Sequence, residues 1–433
     1  MKAAFSLQPS AFGFLAVLGI IVAGGLTGAS PAICPLPSSF EPYVARYVGP
    51  NFSSGVASAM PELKFRPTYP QTTREDVDRT IDRLGAFDDD ERMRAAGVVR
   101  RAPGTVALPA LVDAAAGHAD SFVRYRALVL LSGYDDPRVP DQMELALGEV
   151  NDRLRSVAFA YFERHPEPRL IPVLLKAFDK EVAEFVRPAL IRALAAQGSD
   201  TRVRAPLIKD VTRGEEFFRR SAIDALGDYR AAYALKVLSD VAAVDGPLRD
   251  HAVMAVGKIG DTMSVGLLTG LQHTAQAGAQ PTVAAALCLL GSDCDAHRGF
   301  LVRTLALTDR DPGFQELLRT AASGLSALAV NGDVEAGRAL FETGVRAVDT
   351  TRAPVALALA RLAVTQPPAL VALVEQRQDR DRSLELLRDG FDMLDEDFNE
   401  EQFFVALRKA YYAEPEESAR RPLIQAVINA LGY

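Results

Sequence analysis

At 433 residues the chain is too long for one ordinary core, so it holds either several domains or one extended array. A composition of 48% hydrophobic and 24% charged residues excludes an intrinsically disordered chain. The formal net charge of −8 argues against a general nucleic-acid surface, which needs Lys and Arg against phosphate, and the absence of Trp removes indole as a stacking platform.

The first element is an export signal. "MKAAFSLQPS AFGFLAVLGI IVAGGLTGAS PAICP" places one lysine, Lys2, ahead of an apolar run from Ala11 to Leu26, and small residues follow. Cleavage after Ala29 or Ala32 suits the small-residue rule. The alternatives are an uncleaved anchor formed by residues 11–26 and a lipid acceptor at Cys34, against which Ile33 stands. Residues 1–32 are thus read as a signal or membrane anchor, and the chain as exported, in the periplasm or cell envelope. From Pro31 to Pro70 there are eight prolines, so residues 33–71 read as an extended Pro-rich tether, with one short helix in "FEPYVARYVG".

Folded structure is expected from Thr72. Thr72 and Glu75 make a capping-box pattern, with Val77, Ile81 and Leu84 as an apolar stripe that Gly85 ends. A phrase then recurs, marked by Arg92, Arg124, Arg155, Arg187, Arg219 and Arg249, at spacings of 32, 31, 32, 32 and 30. Small or apolar residues stand three positions on (Ala95, Ala127, Ala158, Leu190, Ala222, Ala252). Larger ones stand seven on (Val99, Leu131, Phe162, Leu194, Leu226, Val256), which is one face of a helix. An acid precedes each arginine by three or four residues: Asp89, Asp120, Asp152, Glu184, Glu216 and Asp245. There it can cap backbone N–H groups and meet the helix dipole. Gly133, Gly198, Gly227 and Gly257–Gly260 read as stops. A second apolar segment separates successive copies, so each unit is a pair of short antiparallel helices that needs its neighbours to bury its apolar faces.

The pattern acid-x-x-apolar-Arg-x-x-Ala-x-x-x-Leu-Gly resembles the HEAT repeat, and most closely the short HEAT-like repeats named for phycobilisome lyases. The resemblance covers Asp89 to about Gly291. It implies an all-α, right-handed solenoid of about ten stacked helix pairs, with 72–291 as well-defined repeats and 292–433 as degenerate repeats and a C-terminal cap. It also implies that the turn acids and arginines named above form a ladder along the stack. The family is mostly one of scaffolds and adaptors, so the resemblance implies a non-catalytic protein that binds another protein.

No residue constellation supports catalysis. Cys288, Cys294 and His297 have no usual zinc spacing, so no metal and no cofactor is expected. Cys288 and Cys294 are read either as a bridge or as one buried and one loop thiol. "DRDRSLELLRDGFDMLDEDFNEE" lacks the order of a calcium loop; Leu384, Leu386, Leu387, Phe391 and Leu394 suggest a helix with a solvated acidic face. There is no Gly-x-Ser-x-Gly, P-loop or Gly-rich dinucleotide turn. What remains is the inner face of the second helices, where Tyr125, Arg192, Arg220, Asp224 and Met254 are the candidate partner-binding residues. The preferred reading is a scaffold that binds an unidentified protein along its concave face. The alternatives are a lyase- or chaperone-like modifying factor, by analogy with bilin lyases, and a structural envelope protein that self-assembles.

Overall fold

The computed structural model describes residues 72–308, 314–347, 349–394 and 396–433. The signal or anchor (1–32), the tether (33–71) and Cys34 lie outside the described residues. The described residues fall within one compact unit, Met60–Tyr433. They form 22 α-helices and no strand, in eleven antiparallel pairs. The first seven pairs are α1 (Arg74–Ile81) with α2 (Asp89–Arg101), α3 (Gly104–Gly117) with α4 (Ser121–Leu131), α5 (Arg138–Ala146) with α6 (Asp152–Arg164), α7 (Ile171–Phe178) with α8 (Arg187–Ala195), α9 (Thr201–Thr212) with α10 (Glu216–Asp228), α11 (Leu235–Ala242) with α12 (Arg249–Ile259), and α13 (Val265–Thr274) with α14 (Gln280–Leu289). The last four are α15 (Cys294–Thr308) with α16 (Gln315–Val330), α17 (Val334–Gly344) with α18 (Asp349–Thr365), α19 (Pro367–Glu375) with α20 (Arg380–Phe391), and α21 (Asp397–Ala413) with α22 (Arg420–Ala430). The all-α solenoid is as expected, with one pair more than the ten anticipated. No helix of the described residues is long and apolar enough to cross a membrane.

Local sequence sets several of the helix starts. The first capping box is one residue later than expected: Thr73, not Thr72, caps α1, and Asp76, not Glu75, returns the bond. Asp88, Asp120, Asn151 and Asp200 cap α2, α4, α6 and α9 through their side chains. Glu216 lies in the first turn of α10, whose N-cap Glu215 makes no side-chain bond. Two glycines read as stops lie inside helices instead. A Cβ on Gly227 would stand 2.6 Å from Cα of Ala255, and one on Gly257 would stand 2.7 Å from Cα of Ala286. Consecutive inner helices α10, α12 and α14 touch backbone to backbone at these points, so the residues are small for packing, not for termination. Gly260 does stop its helix, with φ of 82° as the C-cap of α12.

The ladder is real but strung differently. Arg92 and Arg249 pair with Asp89 and Asp245 of their own turns. Arg124, Arg155 and Arg187 instead reach forward into the next repeat, to Glu149, to Glu181 (2.8 Å) and to Asp210 (2.8 Å). Each arginine also donates to carbonyls of the turn ahead of it: Arg92 to Ala86 and Phe87, Arg155 to Glu149 and Val150, Arg187 to Phe178 and Glu181. Arg219 donates to the Val211 carbonyl. Asp120 and Asp152 spend their carboxylates on backbone N–H groups of Phe122 and Arg153. Glu149 and Glu181 thus each link two arginines, one through the carboxylate and one through the carbonyl. That fixes the register of repeat on repeat.

The core divides into two clusters. One runs from Val77 to Leu290, and the other from Ala284 to Ile428. The even-numbered helices α4 to α20 stack in order as the inner layer. The helix α21 contacts α18 and α19, near the end of that stack, and also α4, near its beginning. Its bonds run along α4 of the inner layer, from Tyr125 to Ser132, so it lies on the inner side of the stack.

Candidate functional site

The concave face of the first repeats is formed by α2, α4 and α6, and it presents Arg100, Tyr125, Arg126 and Arg164. Each of these meets a residue of α21. Arg100 donates from Nε (2.9 Å) and from Nη2 (2.5 Å) to one oxygen of Glu401, and the pair is 11% and 3% exposed. The Tyr125 hydroxyl donates to Asp397 at 2.6 Å, and Arg126 pairs with the other oxygen of that carboxylate. Arg164 donates to Asn399 at 2.9 Å, and Gln402 donates to the Ser132 hydroxyl at 2.9 Å. The guanidinium of Arg100 lies 5.1 Å from the Phe404 ring and 5.2 Å from the Tyr433 ring, and Arg164 lies 5.9 Å from Phe398. A Cβ on Gly133 would stand 2.8 Å from Val405, so this glycine lets α21 approach.

These partners come from the acidic stretch read as a helix with a solvated face. Its apolar residues pack as expected, with Leu384, Leu386, Leu387, Phe391 and Leu394 all buried. Its acids do not all face water: Asp397 and Glu401 are turned into the groove. Burial and its acidic neighbours Asp397 and Glu396 raise the pKa of Glu400 to about 7, while Arg126 pulls it down. Burial, then Asp397, pushes the Tyr125 phenol far above its usual range.

Sequence reasoning placed Tyr125 on this face but missed its partner, since 272 residues separate it from Asp397. The other candidates are distributed elsewhere. Arg192 bridges Glu163 (2.8 Å) and Asp228 (2.7 Å), Lys258 joins Asp228 (2.7 Å), and the Tyr229 hydroxyl donates to Glu163 (2.8 Å). Although burial opposes it, this pair of carboxylates holds Arg192 well above the usual guanidinium range, and Lys258 and Arg192 keep Asp228 below the usual carboxylate range. Asp224 lies 2.8 Å from His251 Nδ1. Met254 packs against the second core cluster. Arg220 is exposed, with its guanidinium 5.1 Å from the Phe217 ring. The structure therefore does not bring the five residues into one site.

A second surface was not anticipated. Phe87, Val150, Val182, Phe185, Phe217 and Val244 are all exposed; Phe217 lies in the first turn of α10 and the others in the turn that leads into an inner helix. Phe87, Val150, Val182 and Val244 each stand five positions before a ladder arginine; Phe185 and Phe217 stand two before. Isolated exposed apolar residues are ordinary, but these recur at two fixed offsets beside the turns, along one edge of the stack.

Cys288 and Cys294 are joined as a disulfide. With Asp333 they bring ligand atoms within 4.8 Å of one another, but Asp333 is held by Arg298 at 2.7 Å and caps α17, and a disulfide offers no thiolate. His297 is not part of that cluster.

No family model matches the chain, and no curated protein matches it. Among solved structures, it is similar to the complex of CpcE and CpcF of phycocyanin lyase from Nostoc sp. PCC7120, at 20% identity over 60% of this chain and 97% of that one, with a TM-score of 0.38. It is similar to importin beta at 13% identity, over 83% of this chain and 58% of that one, with a TM-score of 0.35. It is also similar to Kap121p bound to RanGTP at 12% identity, over 84% of this chain and 40% of that one, with a TM-score of 0.33. The class is decided by the repeats themselves: paired helices of about 31 residues, with an arginine in the first turn of each inner helix from α2 to α12 that holds the turn before it. The fold is a HEAT-like solenoid.

Proposed function

We propose that this chain is a non-catalytic scaffold, exported or tethered to the cell envelope, that binds a protein partner through its concave face. One observation carries the reading: the concave face of the first three repeats is already shaped and charged to hold a helix, and it holds one. Three arginines and a tyrosine hydroxyl converge on α21, which is how arginine-rich protein surfaces grip acidic segments. The apolar edge from Phe87 to Val244 supports an extended partner that follows the stack beyond the groove. Export rests on the N-terminal pattern of Lys2, the apolar run 11–26 and the small residues after it.

The test is in-cell photo-crosslinking with a photoreactive phenylalanine analogue at Tyr125, compared with one at Leu145, which is exposed on the outer helix α5. A discrete protein adduct at 125 and not at 145 supports concave binding, and equal labelling at both positions defeats it. N-terminal sequencing of the protein from envelope and soluble fractions checks export: a chain that starts at Met1 and stays in the cytosol removes that part of the reading.

A further inference from the structure

The clasp shows what chemistry the groove accepts, and this step rests on the concave-face reading above. The helix α21 has two unlike sides. Phe403 and Leu407 belong to the second core cluster and pack that side on the C-terminal repeats, and Phe404 sits at the boundary, in that cluster and 5.1 Å from the Arg100 guanidinium. Toward α2, α4 and α6 it offers Asp397, Asn399, Glu401 and Gln402, with Phe398 and Val405 as the apolar contacts. An interface made mostly of polar and charged groups is the kind that exchanges, whereas an apolar one is the kind that stays shut.

The clasp is also imperfect. Both bonds from Arg100 go to the same Glu401 oxygen, and Nη1 of Arg100, though buried, has no acceptor among the described residues. Glu400 is half-buried; among the described residues its carboxylate accepts only from the Glu396 backbone N–H, at 3.1 Å, and makes no ion pair, and burial raises its pKa. A bound helix that offered Arg100 both carboxylate oxygens, and left no such unpaired acid, would bind better than α21 does.

We propose that the groove of α2, α4 and α6 binds an amphipathic helix of a partner protein that carries an acid, a second acid four residues on and an aromatic three residues after that, and that α21 is the resident occupant such a helix displaces. In α21 these positions are Asp397, Glu401 and Phe404, which lie on one face by helical periodicity. They meet Tyr125 and Arg126, then Arg100, then the ring contact with Arg100.

The test uses the full chain and a fluorescent peptide with the sequence of residues 396–409. The chain carrying Asp397→Asn and Glu401→Gln, with unchanged far-UV circular dichroism, should bind this peptide at least tenfold more tightly than the wild-type chain. A peptide with the same two substitutions should bind the opened chain at least tenfold more weakly than the wild-type peptide. Where the double variant does not fold, Asp397→Asn alone serves, since Asp397 lies at the more exposed end of the clasp. Equal affinity for the two peptides overturns the proposal, and so does no gain on opening. An opened chain that sediments as a dimer and refuses the peptide also overturns it, because the displacing helix would then come from a second copy. If crosslinking at Tyr125 captures a partner while the acidic peptide fails, only the chemistry of the partner is wrong and concave binding stands.

Discussion

The two halves of the solenoid use the same two devices, arginine links and small-residue packing, in different proportions. From α2 to α10 the repeats are held in register by guanidinium groups, each tied to backbone carbonyls of its own turn and, from Arg124 to Arg187, to an acid one repeat ahead. From α15 onward the arginine device recurs at Arg298, paired with Asp295 and Asp333, and at Arg352, paired with Asp389; the helices lengthen to as many as 17 residues, and small residues set much of the spacing. A Cβ on Gly337 would stand 2.6 Å from Leu373, one on Gly344 2.6 Å from Leu386, and one on Gly390 2.2 Å from the Ala356 carbonyl oxygen. Charge pairs tolerate a repeat that is slightly misplaced, because side chains adjust. Close contact at a glycine tolerates less.

The clasp is where the two halves meet, and breaking it should have the largest effect. Replacing Glu401 by Leu leaves Arg100 charged, buried and unpaired, which should cost about 3–5 kcal/mol in urea unfolding. Replacing both, as Arg100→Met with Glu401→Leu, should restore most of that stability while abolishing the salt dependence of closure. A double variant as unstable as the single one would show that the pair does more than neutralise a buried charge.

Next in size is the small-residue packing of the second half. Gly390→Ala drives a methyl group into the Ala356 carbonyl of α18, so α18 and α20 must separate, at a cost of about 3 kcal/mol. Its counterpart in the first half is Arg155→Met, which loses the paired contact to Glu181 and two carbonyl bonds and should cost about 2 kcal/mol. Thermal unfolding of the two variants sharpens the contrast. Gly390→Ala should split the transition, with the second half melting first, whereas Arg155→Met should shift one transition as a whole.

This division was half visible beforehand. The regular half could be read because its signals are local: the apolar face at offsets 3 and 7 and the acids that cap the helix starts. The glycines misled because Gly227 and Gly257 follow an apolar run, as a stop would, and only the neighbouring helix shows that Ala255 and Ala286 need the space. The partners of the ladder were misassigned because Glu149 and Glu181 sit 25 and 26 residues beyond their arginines, a distance set by the stacking of one repeat on the next. The clasp was out of reach for a stronger version of the same reason. The meeting of Arg100 with Glu401, 301 residues apart, depends on curvature accumulated over the whole array.

A smaller effect separates the clasp from the rest by pH. Glu400 has its folded pKa raised to about 7 from an ordinary 4.5, so between those values the folded chain holds a proton that the unfolded chain has released. Stability from this group is present below about pH 4.5 and is lost as pH rises toward 7. His165 and His297, whose pKa values burial pushes down, change in the opposite sense. The difference between wild type and Glu400→Gln in urea midpoints from pH 4.5 to 7.5 therefore isolates Glu400. The wild type should lose ground to the variant as pH rises, and parallel curves would place Glu400 outside the clasp.

The smallest prediction carries the opposite sign. Gly270 lies inside α13, an outer helix of the regular half, and a Cβ added there meets nothing within 4 Å. Since no neighbour needs the space, only backbone entropy and helix propensity are at stake, and Gly270→Ala should stabilise the chain by about 0.5–1 kcal/mol. Paired with Gly390→Ala, it makes the same chemical change in the same type of element, once against solvent and once against a carbonyl. If both variants were destabilised alike, glycine content would matter only through helix propensity and the close-packing account of the second half would fall. Opposite signs would tie the second half to contacts that no charge can replace.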